Sequence, residues 1–179
     1  MGLFGFFNKG KKAKLLELQK IVVENSPDFL IMSESQLMDI AKEQAQNHLR
    51  IIGDCTKLLS STIKPDVFFS RLDLLEKHSK HLMQFEPYIN FSGALPSEGY
   101  NEFVANKNLC VRQFIARYSS AISDKAKTMK TERGRKNQYQ KFYDELEPYF
   151  PVISIKNIEY VNLLYHKLIE DIMATYTSK

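Results

Sequence analysis

Apolar residues along this chain recur at intervals of three and four, and nowhere do they alternate strictly for the length of a strand. The clearest stripe runs through Leu37, Ile40, Ala41, Ala45, His48, Ile52, Cys55 and Leu59, with Lys42, Glu43, Gln46 and Arg50 on the opposite face. Ser33 followed by Gln36 places a capping box at its start, since each side chain bonds the other's free backbone amide. A second stripe comprises Phe68, Leu72, Leu75, Ser79, Leu82 and Phe85. It opens at Pro65, whose missing amide hydrogen costs nothing in a first helical turn, and stops at Pro87.

The remaining seams predict shorter or less regular helices. Leu15, Leu18 and Val22 mark one over about 11–24, ended by Asn25-Ser26-Pro27. Another starts at Pro96-Ser97-Glu98 and carries Phe103, Leu109 or Cys110, Phe114, Ala121 and Ile122 toward residue 128. A fifth covers about 136–149 with Tyr139, Phe142, Tyr143 and Leu146; Gly134 either breaks a helix before it or sits inside one. Ser154 caps a sixth, whose seam is Ile155, Ile158, Val161, Leu164 or Tyr165, Leu168 and Ile172. The pattern predicts an all-α, single-domain bundle of five or six helices, some long, over 11–179. Residues 1–10 form a separate apolar segment, a poor helix because of Gly2 and Gly5.

Composition agrees with a globular chain. Its 179 residues are 44% hydrophobic and 26% charged, enough to bury a core without metal or disulfide. The two cysteines, Cys55 and Cys110, read as free core thiols of a reducing compartment. At the N-terminus the apolar residues precede the lysines, the reverse of a secretory signal, and no run reaches membrane-spanning length. The expected location is the cytoplasm, including its membrane surface.

Catalytic and metal signatures are weak. Di-iron bundles need inward Glu-x-x-His pairs, which are absent. His78 and His81 can share a helix face, but they read as a solvated or interhelical pair, and His48 as a hydrogen-bonded core residue. Gly5, Gly10 and Lys11 fit the glycine and lysine spacing of a phosphate loop, yet Lys12 stands where a magnesium-binding hydroxyl is required and no strand precedes. Met1-Gly2 resembles a myristoylation start except for Phe6. Neither catalysis nor a cofactor is expected.

Two segments carry the candidate contacts. Leu3, Phe4, Phe6 and Phe7 form an apolar wedge beside Lys9, Lys11, Lys12 and Lys14. Such a wedge suits the bundle, a partner's groove or an anionic membrane surface. The second segment holds Lys125, Lys127, Lys130, Arg133, Arg135, Lys136 and Lys141 against Glu132 alone, a local net of +6 compared with +4 for the whole chain. With Tyr139, Phe142 and Tyr143 alongside, it has the cations and rings that bind phosphates and stack bases. Asp144, Glu145 and Glu147 follow at once and oppose that reading.

Pro65-Asp66-Val67-Phe68-Phe69-Ser70-Arg71-Leu72-Asp73-Leu74-Leu75 and Lys130-Thr131-Glu132-Arg133-Gly134-Arg135-Lys136-Asn137 to Phe142 are similar to two segments of an uncharacterised helical module of bacterial and phage proteins. The resemblance covers about 60–165 and implies an intracellular bacterial or phage setting; it carries no functional residue. Phe68 and Phe69 point about 100° apart on a helix, so one is expected in the core and the other at a second interface. The leading expectation is an interaction domain that binds a protein. Nucleic-acid binding, membrane contact and self-association are alternatives.

Overall fold

In the computed structural model, the described residues are 3–25 and 33–177, with side chains described over 10–24 and 33–172. They form α1 (Leu3–Asn25), α2 (Glu34–Ser61), α3 (Pro65–Phe85), α4 (Pro96–Lys127), α5 (Glu132–Leu146), a 3-10 turn (Glu147–Val152) and α6 (Ile155–Thr177). No strand occurs among the described residues, so the chain is all-α. None of these helices is long and apolar enough to cross a membrane.

Helix α1 begins eight residues before its expected start at residue 11, and so absorbs part of the segment expected to stand apart. Gly5 and Gly10 lie within it; each costs about 1 kcal/mol relative to Ala, too little to interrupt a helix already formed beyond them. The capping box at α2 forms as expected. The Ser33 amide donates to Gln36 Oε1 at 3.0 Å, and the Gln36 amide to Ser33 Oγ at 3.3 Å.

The chain divides into two compact units, Met1–Thr56 with Leu74–Glu102, and Lys57–Asp73 with Phe103–Lys179; the boundaries fall within α2, α3 and α4. In the first unit, Leu18 and Val22 of α1 pack with Leu37, Ala41 and Ala45 of α2 and with Leu82 and Phe85 of α3. Small side chains at 41 and 45 leave room for the larger ones of α1. Gln44 Nε2 adds a hydrogen bond to the Val22 carbonyl at 3.2 Å. The Glu86 carboxylate holds the start of α4, accepting from the Ser97 amide at 2.9 Å and the Ser97 hydroxyl at 3.0 Å.

The second unit is built on aromatic stacking. Phe68 lies over Phe114 with centroids 4.0 Å apart and planes 10° apart. Phe69 is buried as well, stacked on Tyr149 at 4.1 Å. The expectation of a second interface for one of this pair is therefore wrong: the Pro148–Pro151 turn brings Tyr149 back to cover the other ring.

The α4 seam differs too. Val111, Phe114, Ile115, Tyr118 and Ile122 are buried, whereas Leu109 is exposed. On α6, Val161, Leu168 and Ile172 are buried, but Ile155 is not part of the seam; it is 74% exposed. Its register fits the stripe, but it lies in the first turn, at the margin of the contact with α4 and α5.

Gly134 breaks nothing. Helix α4 ends at Lys127, and α5 starts afresh with Thr131 as its cap, whose hydroxyl accepts the Gly134 amide at 3.1 Å. A Cβ at Gly134 would stand 3.1 Å from that hydroxyl, so glycine gives the cap its room.

Candidate functional site

The wedge residues Leu3, Phe4, Phe6 and Phe7, together with Lys9, lie on α1, but their side chains fall outside the described residues. Lys11 and Lys12 are exposed, and Lys11 pairs with Glu34 of α2 at 2.9 Å.

The basic stretch does not form one cationic face with aromatic neighbours. Lys125 and Lys127 occupy the last turn of α4, where the carbonyl end of the helix favours positive charge. Lys127 reaches Asp124 at 2.9 Å, Lys136 reaches Glu132 at 2.6 Å and Lys141 reaches Glu145 at 3.2 Å. Arg135 Nε donates to the Met129 carbonyl at 3.2 Å, tying down the turn between α4 and α5. Lys125, Lys130 and Arg133 are exposed and have no carboxylate partner among the described residues. Tyr139 and Phe142 are buried in the core, and Tyr143 packs between Phe150 and Tyr165. Tyr139 and Phe142 are thus not exposed for a base to stack on in this fold.

A groove of about 640 Å³ opens in the second unit, within the size range of small-molecule sites. Lys64, Lys125, Lys141, Asp66, Glu145 and Tyr149 are among its walls. Tyr118 closes the floor and donates its hydroxyl to Glu145. Burial first, then the hydrogen bond and negative charge of Glu145, raise the Tyr118 phenol well above the ordinary tyrosine range. That places a protonated donor and a shared carboxylate in the groove, with one ammonium already bound to the carboxylate.

A histidine cluster lies in the first unit, and sequence spacing paired only two of its three members. His78 and His81 on α3 do share a face, and α2 brings His48 against both. His48 Nδ1 and His78 Nδ1 are 2.8 Å apart, a hydrogen bond in which one ring donates and the other accepts. Ring centroids are separated by 5.0 Å for His48–His78, 5.5 Å for His48–His81 and 6.4 Å for His78–His81. Desolvation, and then the neighbouring imidazoles, push His48 down to about 4; burial also lowers His78. Among the described residues no three His, Cys, Asp or Glu side chains are arranged to hold a metal ion. The two thiols are unbridged, Cys55 buried and Cys110 half-buried; burial raises Cys110, with the Arg117 guanidinium opposing it.

Large apolar side chains are also exposed on the second unit. Val152 is 66%, Ile155 74% and Leu163 63% exposed. Val104 and Leu109 stand out from α4 in the same unit. The Asn157 side-chain amide donates to the Asn108 carbonyl at 3.2 Å, and Arg112 lies 4.4 Å over the Tyr160 ring. These contacts set the middle of α4 beside the first turns of α6, and Leu109 and Ile155 lie next to them in sequence. No family model matches the chain, and no curated protein or solved structure is detectably similar to it.

Proposed function

We propose that this chain is a non-enzymatic helical interaction domain that binds a protein partner through the apolar side chains around the α4–α6 junction. The exposure of Ile155, Leu163 and Val152 carries the reading. Ile155 and Leu163 are two turns apart on α6, within about 80° of one another. Fully covering three such side chains is worth roughly 5–9 kcal/mol, comparable with the cost of association itself. A stable partner therefore also covers neighbours such as Leu109 and Val104. Exposed Lys156 and Glu159 follow Ile155 on α6, so apolar and charged side chains alternate there as in the apolar centre and polar rim of a protein interface.

Affinity capture of the full chain at native expression levels tests this reading. A stoichiometric partner is expected, and Ile155→Glu with Leu163→Glu should release it while leaving the helical signal intact. Retention of that partner by the double variant, or recovery of background alone, removes the proposal.

A second reading rests on Lys125, Lys130 and Arg133, whose charges face solvent without carboxylate partners among the described residues. Nucleic-acid binding through them is electrostatic and must weaken with salt. Retardation of short DNA and RNA at two salt concentrations tests it, and the absence of salt-sensitive binding ends it.

A further inference from the structure

The three histidines of the first unit form the contact between α2 and α3 immediately beyond the Ala41–Ala45 and Leu82–Phe85 core. His48 is 6% exposed and also lies against Phe85, with centroids 6.1 Å apart. The Nδ1–Nδ1 hydrogen bond has a strict requirement: one nitrogen must offer a lone pair. Once both rings are protonated, two N–H groups and two positive charges face each other across 2.8 Å, with no acceptor between them.

We propose that His48, His78 and His81 are an acid-operated latch, closed when neutral and opened by protonation, that holds α2 against α3. The surroundings favour opening over rescue. From α3 the cluster is faced by its own imidazoles and by the Lys77 ammonium, all of which oppose added positive charge. Helix α1 and residues 86–102, also in this unit, supply none of the charges that act on His48 and His78 among the described residues. Among the described residues, no ion pair joins a carboxylate to any of the three. A histidine beside a carboxylate gains a partner on protonation; these lose one.

The released element is set by the packing. Gln44 and Ala45 lie within one turn of His48 and contact Val22 and Leu18 of α1. Parting α2 from α3 therefore withdraws the surface on which α1 rests. The second unit has its own aromatic core and contains none of these residues.

Hydrogen exchange of the full chain, corrected for the intrinsic pH dependence of exchange, tests the latch. Between about pH 7.5 and about pH 4.5, amides of 44–52 and 75–85 should lose at least tenfold protection, while those of α5 and α6 keep theirs. A His48→Gln, His78→Gln pair retains hydrogen-bonding groups that do not titrate in this range; its protection should be independent of pH. Imidazole nitrogen NMR should show the wild-type rings gaining protons as protection falls. Three results would overturn the proposal: acid loosening of equal size in the double variant, unchanged wild-type protection while the rings protonate, or protection by added zinc at neutral pH that the double variant lacks. The last would reassign the cluster to metal binding.

Discussion

Tyr118 of α4 and Glu145 of α5 share a hydrogen bond in which the phenol donates to one carboxylate oxygen, while Lys141 holds the other at 3.2 Å. The phenol is 4% exposed at the residue level, so it cannot exchange this partner for water without movement of α5. Removing the hydroxyl by Tyr118→Phe should cost about 1–2 kcal/mol, because a bond to a charged acceptor is lost while Glu145 keeps its lysine. Urea denaturation measures the loss. In ultraviolet titration of the wild type, Tyr118 should remain protonated after the more exposed tyrosines have ionised, and the variant should lose that late step.

The Phe68–Phe114 stack lies in the core of the second unit, and both rings are completely buried. Phe114→Ala should destabilise by about 3–5 kcal/mol, since it removes a ring from between Phe68, Phe69 and Tyr118. Phe114→Leu keeps most of the volume and should cost less than half as much. Circular dichroism during denaturation distinguishes the two.

Stability should fall on acidification with a defined sign. His48 is lowered to about 4 in the folded chain, whereas it titrates near about 6.5 when unfolded. Between these values the unfolded chain binds the extra proton. The contribution is therefore complete above about pH 6.5 and is lost progressively as pH falls toward 4. The expected loss is on the order of 2 kcal/mol. Denaturation midpoints at about pH 7.5 and about pH 4.5 should differ more for wild type than for His48→Gln.

The start of α5 depends on a single hydroxyl. Thr131→Ala should cost about 1 kcal/mol through loss of the N-cap. Gly134→Ala should fall well short of the roughly 1 kcal/mol gain usual for that exchange inside a helix, because the new methyl crowds the Thr131 hydroxyl at 3.1 Å. Thermal unfolding of the two single variants and the double variant checks the coupling: Gly134→Ala should be more favourable once Thr131 is already Ala.

Local rules made the helices legible. Every residue assigned to the α3 stripe from Phe68 to Phe85 is buried, and the Ser33–Gln36 cap forms, because spacing and capping act within a few residues of one another. The α1 start was misplaced because helix propagation past Gly5 and Gly10 is a cumulative balance that no single residue reveals. The candidate sites were less legible. Seven cations in sequence looked like one surface, yet pairing with Asp124, Glu132 and Glu145 distributes them locally.

By itself, then, the sequence determined which residues lie on each helix face and where most helices begin and end, since backbone hydrogen bonding and side-chain periodicity are short-range. Tertiary structure decided which faces meet. It brought His48 to His78 across 30 positions and Phe69 to Tyr149, and it left Ile155 in solvent although its spacing fits the α6 stripe. The physical reason is that a helical stripe specifies a direction of burial but not a partner; that choice depends on the volumes, rings and charges of segments far apart in the chain.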